Sequence, residues 1–368
     1  MNAPNRPDPN DIRSPVTILT GFLGSGKTTL LNRALSSPDL QKTAVIINEF
    51  GDISIDHALT TSSDDTIMVL ENGCLCCTVF GDLVQTMNRL YHARAAGEIA
   101  FDQVLIETSG LAEVGPILQA FLSEPTLEGL FQVGAVIATV DAVNAAATLR
   151  DHAVSIRQIA LADAIIMTKL DLVAPDLRDA SEQGLQAQLR KSNPHALIWN
   201  SSDPAADPVR FMSHRVANPA FGPEAARAWL TAEIDHPKAA IETGHDHDHH
   251  DHESDISSFT LVQDDPLTRD ALSFLLSSLE RHLGPSLLRV KGLVNVIEEP
   301  GRPAVIQGAQ HLLHNLSWLD RWPDDDHRTR VVFITQGLPP GELEELVGLL
   351  DRIAQRTAKA RLQAGLHS

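Results

Sequence analysis

The sequence TILTGFLGSGKTTLL, residues 17–31, decides the fold of the first half of this chain. An apolar, β-branched run enters it, glycines at Gly21, Gly24 and Gly26 let the backbone curl without Cβ clashes, and a helical pattern follows. Successive backbone N–H groups in such a loop, at the positive end of a helix dipole, form a cradle for phosphate. The stretch therefore predicts a strand, a phosphate-binding loop and a helix.

The polar residues of this loop supply the other groups that a nucleoside triphosphate needs. Lys27 offers a point charge to the phosphates, which makes it a candidate catalytic residue, and Thr28 offers a hydroxyl where Mg²⁺ is ligated. Ser25 and Thr29 complete the predicted contacts to the nucleotide. A glycine-rich turn that matches by chance is the alternative, and the flanking strand and helix argue against it.

A second apolar run, at residues 104–106, ends in Glu107. Beside a phosphate loop, an acidic residue at a strand end predicts a carboxylate that holds Mg²⁺ through water or orients the attacking water. Thr108 is a further candidate for nucleotide binding, and the Gly110 amide is a candidate sensor of the γ-phosphate. Without the phosphate loop, an acidic residue at a strand end, such as Glu107, would be an ordinary feature of an α/β fold.

The sequence TKLD, residues 168–171, follows another apolar strand and indicates which base is bound. A carboxylate at Asp171 accepts hydrogen bonds from both N1–H and the 2-amino group of guanine, and the stem of Lys169 covers the ring face. Thr168 stands where Asn is usual, so it keeps a hydroxyl but lacks the amide. The pattern predicts GTP rather than ATP; the alternative is that Asp171 only caps a surface helix.

The length of 368 residues suits two domains, each with its own core. Apolar runs at residues 16–19, 44–47, 104–106, 136–140, 164–167 and 196–199 alternate with helical patterns, which predicts an α/β fold with a mostly parallel sheet. We expect a disordered leader at residues 1–14, a P-loop GTPase domain at 15–232 and a His- and Asp-rich linker at 233–255. Residues 256–368 predict a smaller α+β domain, an open sheet with helices on one face.

Composition excludes several classes of function. The net charge of −19 repels phosphate backbones and anionic lipid, which argues against nucleic acid or a membrane as the main partner. The chain has no apolar run of about 18 residues, as a membrane span would need, and its first residues lack the apolar stretch of a secretory signal. We therefore expect a cytoplasmic protein whose partners are soluble proteins or metal ions.

All three cysteines lie in the sequence CLCC, residues 74–77. Cys74, Cys76 and Cys77 are too crowded for ordinary disulfide geometry, and three thiolates so close together suit Zn²⁺ or Co²⁺. A site completed by water, a carboxylate or a partner's ligand exchanges its metal more readily than a structural site with four thiolates. The alternatives are a redox thiol pair and inert buried cysteines.

Two further segments carry metal-binding side chains. The stretch NEFGDISID, residues 48–56, follows the second predicted strand, where loops often rearrange around the γ-phosphate. Glu49 and Asp52 are therefore candidate metal ligands or switch residues, and they are equally well read as solvated loop carboxylates. The tract HDHDHHDH, residues 245–252, is suited to gathering divalent metal, or it is a solvated linker with incidental affinity.

Taken together, these motifs resemble the CobW-type, zinc-regulated metallochaperone GTPases of the SIMIBI class of P-loop proteins. The likeness rests on the phosphate loop, NEFG at 48–51, GCLCC at 73–77, ETSGL at 107–111 and TKLD at 168–171, which stand in the family's order. LRVKG at 288–292 and VIQGAQH at 305–311 resemble the family's C-terminal domain. The resemblance covers nearly the whole chain after Ser14.

The resemblance implies slow GTP hydrolysis coupled to holding and releasing Zn²⁺, with Cys76 and Cys77 as the leading ligands and with Glu49 and Asp52 near where relatives use loop carboxylates. It also implies delivery to a client metalloprotein, with the smaller domain contacting that client or a second copy in a homodimer. Two alternatives stay open: a Co²⁺ cargo, and a metal-buffering protein in which the nucleotide is only structural. No arginine finger is evident, so we expect slow turnover.

Overall fold

The computed structural model of the protein describes residues 13–40, 42–47, 67–69, 78–203, 256–309, 312–313 and 316–339, with single positions at 212 and 226 and several between 341 and 356. The chain separates into two compact units. The first contains the described residues up to Ala187 and those from Leu197 to Asp203. The second contains the described residues from Ile256 onward, together with the segment from Gln188 to Ala196.

The first unit is built on a parallel sheet, and this confirms the predicted α/β fold. Its described strands have the order β3-β2-β4-β1-β5-β6-β7. The strands in the middle are buried on both faces, which is why they occur in the sequence as continuous apolar runs. Their bounds are β1 Ser14–Gly21, β2 Thr43–Ile47, β3 Ile67–Val69, β4 Gln103–Glu107, β5 Phe131–Asp141, β6 Ala164–Thr168 and β7 Leu197–Asn200.

Where the structure describes the connection between consecutive strands of this sheet, it contains a helix, because a parallel pair needs a crossover rather than a tight turn. Since all the strands run the same way, their carboxyl ends meet at one edge of the sheet, where the predicted nucleotide residues lie. None of the described helices is long and apolar enough to cross a lipid bilayer. The helices are α1 Lys27–Leu35, α2 Thr78–Ala95, α3 Val114–Ser123, α4 Pro125–Leu130, α5 Ala145–Asp151, α6 Ala153–Leu161 and α7 Arg178–Ser192.

The second unit is an antiparallel sheet with helices on one face, as predicted. Its described strands have the order β11-β10-β9-β13-β8, and β12 pairs with β10. The helix α8 (Arg269–Leu283) is capped by Thr268, whose hydroxyl accepts a 3.1 Å hydrogen bond from the Ala271 amide. The strands are β8 Ile256–Gln263, β9 Leu287–Val294, β10 Ala304–Ala309, β11 Leu312–Leu313, β12 Ser317–Trp318 and β13 Thr329–Gln336.

The core of this second unit follows from helical periodicity. The leucines of α8 recur at helical spacing and pack with Val290 and Phe333 of the sheet into one apolar cluster. Val347, from the helical residues after 340, belongs to the same cluster, so both helices cover one face. The short strands β11 and β12 were not predicted, because two residues are too few to show an alternating pattern.

Candidate nucleotide site

The phosphate loop has the conformation that its glycines permit. Gly21, Gly24 and Gly26 all have positive φ, at 136°, 70° and 92°. A Cβ atom on Gly21 would lie 2.4 Å from Thr139 Oγ1 and 2.5 Å from Thr139 O, so a side chain does not fit there. The helix α1 begins directly after the loop, at Lys27, so its N-terminus lies at the predicted phosphate cradle.

The Lys27 side chain is buried and lies along the loop itself. Its ammonium donates to the Gly21 carbonyl at 2.9 Å and to the Phe22 carbonyl at 3.2 Å. These bonds hold the charge at the curled backbone. A phosphate oxygen, which carries negative charge, would make a stronger bond with the same ammonium group than a carbonyl does.

Thr28 and Glu107 meet across the sheet edge, although 79 residues separate them. The Thr28 hydroxyl donates to Glu107 Oε1 at 2.6 Å, and Glu107 is only 1% exposed. The contact arises because β4 lies beside β1, with Glu107 opposite Leu19. A hydroxyl and a carboxylate are hard oxygen donors, so the pair fits a Mg²⁺ ion that keeps several water ligands.

The segment from Thr108 to Glu113, here called the 108–113 loop, lies directly against the phosphate loop. Thr108 is buried, and its hydroxyl donates to Thr20 Oγ1 at 2.9 Å within the protein. A Cβ atom on Gly110 would lie 2.6 Å from the Leu23 amide nitrogen and 2.7 Å from Leu23 Cα. Only glycine therefore allows the two loops to approach so closely.

Thr168 ties the predicted base-recognition segment to the phosphate loop. Its hydroxyl is within hydrogen-bond distance of the Ser25 carbonyl at 2.7 Å and of the Val140 carbonyl at 3.2 Å. The Ser25 hydroxyl in turn lies 2.6 Å from Thr139 Oγ1. A hydroxyl at position 168 is thus sufficient to connect β6 with the loop, without the amide of the usual Asn.

Lys169 and Asp171 are positioned by an unusual turn. Lys169 is the one non-glycine residue with positive φ in the described part of the chain, and its ammonium donates to Gly24 O at 2.6 Å and Asp141 Oδ2 at 2.8 Å. Burial opposes ionisation of Asp141, but hydrogen bonds from Lys169 and Asn144 outweigh it and lower its pKa. Asp171 is exposed, with Oδ1 at 3.5 Å from the Ser202 hydroxyl.

Asp141 is the residue that sequence reasoning missed. It ends β5 beside Thr168 of β6, and its carboxylate fixes the Lys169 side chain across the phosphate loop. An aspartate directly after an apolar strand is the same signal that identified Glu107. Thr29 is exposed on α1, and what it binds stays a prediction.

Thr28, the predicted Mg²⁺ ligand, is among these residues, but the predicted ligands of Zn²⁺ are not. Cys74, Cys76, Cys77, Glu49 and Asp52 lie outside the described residues, as does the His-rich tract at 245–252. Within the part of the chain that the structure describes, no group of three or more His, Cys, Asp or Glu side chains is placed to hold a metal ion. The metal site therefore stays a prediction from sequence.

Comparisons with known families agree with both units. Residues 15–200 match the model of the CobW/HypB/UreG nucleotide-binding domain. Residues 256–349 match the model of the cobalamin synthesis protein cobW C-terminal domain. Together the two matches account for most of the described residues.

Individual relatives match along most of the chain. The zinc chaperone YjiA of Escherichia coli is 32% identical over 328 residues, which is 89% of this chain and 96% of the relative. The zinc chaperone CobW of a Sinorhizobium species is 30% identical over 322 residues, 80% of this chain and 84% of the relative. The crystal structure of Zn(II)-bound YjiA GTPase from E. coli superposes with a TM-score of 0.65 at 27% identity, covering 92% of this chain and 99% of that one.

Proposed function

Because the chain belongs to the CobW/HypB/UreG family and carries the cobW C-terminal domain, we propose that it is a GTP-hydrolysing metallochaperone. In this proposal it binds Zn²⁺ at Cys74, Cys76 and Cys77 and delivers the metal to a client metalloprotein in the cytoplasm. The nucleotide and the metal are coupled, so that the γ-phosphate sets the affinity of the thiolates for Zn²⁺.

The enzymatic part of the function is hydrolysis of GTP to GDP and phosphate. The observation that carries it is the contact of Thr28 with the buried Glu107 beside the phosphate loop. Mg²⁺, when bound, neutralises charge on the β- and γ-phosphates. Lys27 would bind the phosphates, and Glu107, which accepts the hydrogen bond of the Thr28 hydroxyl, would hold Mg²⁺ through water or orient the attacking water.

Guanine specificity is assigned to the TKLD segment. Thr168 joins the end of β6 to Ser25 and Lys169 crosses the phosphate loop to Asp141, so Asp171 follows a segment that is anchored to the phosphate loop. An exposed carboxylate in that position accepts both hydrogen bonds that guanine offers and adenine lacks.

The choice of zinc rests on the thiolates and on the relatives. Three soft sulfur ligands suit Zn²⁺, and the two relatives named above are zinc chaperones. The same ligands bind Co²⁺, since selectivity in cells follows availability and geometry more than raw affinity. The cargo is therefore tested with both ions.

The test uses the purified full chain and measures metal affinity by competition with a chromogenic chelator, for Zn²⁺ and Co²⁺ separately. The double variant Cys76→Ser/Cys77→Ser is compared with a variant that lacks residues 244–253. We expect the cysteine variant to lose about a hundredfold or more in Zn²⁺ affinity while it still hydrolyses GTP, because two thiolate ligands are gone.

The deletion variant is the matched control. We expect it to keep the tight site, because the His-rich tract binds metal weakly and with fast exchange. Tight metal binding that disappears with residues 244–253 and survives loss of the cysteines would instead establish a buffering protein. A chain that hydrolyses no GTP, with or without Zn²⁺, would refute the enzymatic part.

A further inference from the structure

The 108–113 loop is held from behind by one side chain of α6. Gln158 donates both amide hydrogens to this loop, to the Gly110 carbonyl at 3.3 Å and to the Ala112 carbonyl at 3.1 Å. The side chain is only 1% exposed. Its two bonds fix the 110–111 and 112–113 peptide planes, on the segment of the loop that touches Leu23.

Two neighbouring contacts support the same arrangement. Arg157, next to Gln158, makes a forked ion pair with Glu113 at the end of the loop, and this pairing raises the pKa of Arg157. His152, before the first turn of α6, stacks on Phe22 of the phosphate loop with ring centroids 4.4 Å apart. The helix α6 therefore contacts both loops that border the phosphates.

Between these contacts, the helix and the phosphate loop do not pack tightly. A cavity of about 310 Å³ lies there, lined by Phe22 and Leu23 of the loop, by the end of β5, and by α5 and α6. Close packing resists a shift in position, whereas a cavity of this volume gives little resistance. Gln158 also lines this cavity, and its hydrogen bonds join α6 to the Gly110 end of the 108–113 loop.

We propose that Gln158 is a positioning residue for GTP hydrolysis: it holds the 108–113 loop so that the Gly110 amide meets the γ-phosphate. The inference rests on the proposed GTPase function. The Gln158 amide donates to backbone carbonyls of the loop and the side chain is only 1% exposed, so it acts through the backbone that it binds. GDP has no γ-phosphate, and its binding does not depend on this restraint.

The test replaces Gln158 by two residues of similar size and measures affinity for GDP and for a non-hydrolysable GTP analogue, together with the single-turnover rate of GTP hydrolysis. Gln158→Met removes both donors and keeps the length of the side chain. We expect hydrolysis to slow by about tenfold and affinity for the GTP analogue to fall several-fold, with affinity for GDP unchanged within about twofold. Gln158→Glu places a carboxylate against two carbonyl oxygens and has a larger effect in the same direction.

Ser155→Ala is the matched control on the same helix. Ser155 is buried, and its hydroxyl donates to Thr148 O and His152 O but does not reach the 108–113 loop. The variant Ser155→Ala removes hydrogen bonding at the start of α6 without removing a contact to the 108–113 loop, so it reports the effect of weakening the helix. We expect its ratio of GTP-analogue to GDP affinity to equal that of the wild type.

The inference is overturned if Gln158→Met leaves both the rate and this affinity ratio unchanged. It is also overturned if Gln158→Met weakens the binding of GDP and of the GTP analogue equally, or if Ser155→Ala changes the affinity ratio as much as Gln158→Met does. Either result means a merely structural role. A wild-type chain without hydrolysis refutes the proposed function instead, and the affinity ratio still tests Gln158 in that case.

Discussion

Replacing Gly110 by Ala tests the close approach of the two loops that border the phosphates. The added Cβ would lie 2.6 Å from the Leu23 nitrogen and 2.7 Å from Leu23 Cα, both backbone atoms that no rotamer change can move. An ordinary contact begins near 3.4 Å, so one loop must shift by about 0.8 Å. A displacement of about 1 Å at a reacting centre costs on the order of a hundredfold in rate.

We therefore expect Gly110→Ala to lower the single-turnover rate of GTP hydrolysis about a hundredfold, and the free energy of unfolding by about 1–3 kcal/mol. The rate is measured by release of radiolabelled phosphate from GTP, and stability by denaturant unfolding. Gly184→Ala is the control, because Gly184 lies within α7 and a Cβ there would meet nothing within 4 Å. Wild-type hydrolysis by Gly110→Ala would refute the reasoning, and so would an equal loss of rate in Gly184→Ala.

Three further predictions concern the base, the phosphate loop and the second unit. Asp171→Asn should lower affinity for GTP about a hundredfold and favour XTP, since an amide no longer accepts both guanine donors; competition binding with the two nucleotides checks this. Thr168→Ala should lower the affinity for GDP and for a GTP analogue alike, by about tenfold, and Thr168→Ser should restore both affinities. Titrations with fluorescent nucleotides check this, and a selective effect on one nucleotide would contradict it. The Arg328 hydrogen bond lowers the pKa of Asp326 from 3.8 to about 2. The ionised pair therefore stabilises the fold at pH values above the pKa of this carboxyl in the unfolded chain, and the stabilisation is lost as the pH falls through about 2. Asp326→Asn should therefore lower the free energy of unfolding by about 1 kcal/mol at neutral pH, after allowing for solvent screening. Below about pH 4 the free energy of unfolding of this variant, measured in urea titrations, should depend less on pH than that of the wild type; an unchanged pH dependence would argue against the pair.

The residues at the carboxyl edge of the sheet could be predicted from the sequence, but the contacts between them could not. Glycine spacing and an apolar strand are strong local signals, so the phosphate loop, Glu107 and Thr168 could all be found from one sequence. The contact between Thr28 and Glu107 depends on β4 lying beside β1, and this strand order follows from packing of the whole sheet. Local sequence patterns carry no information about this strand order.

Asp141 and Gln158 show why the supporting residues were missed. Asp141 directly follows the predicted strand at residues 136–140, but its partner Lys169 lies 28 residues later, so the local pattern does not show what Asp141 binds. Gln158 looks like an ordinary polar residue in an amphipathic helix, and its role depends on a loop 46 to 48 residues earlier in the chain. Long-range hydrogen bonds of buried polar groups leave no periodic signal in the sequence.

Control of metal binding by the nucleotide is tested by comparing Zn²⁺ affinity in the two nucleotide states. Zn²⁺ affinity of the full chain is determined by chelator competition with Mg²⁺ and a GTP analogue bound, and again with GDP bound. The proposed coupling predicts that the two affinities differ by about tenfold or more, the size of an ordinary allosteric coupling. Equal Zn²⁺ affinities in the two nucleotide states, with both nucleotides shown to be bound, would contradict it.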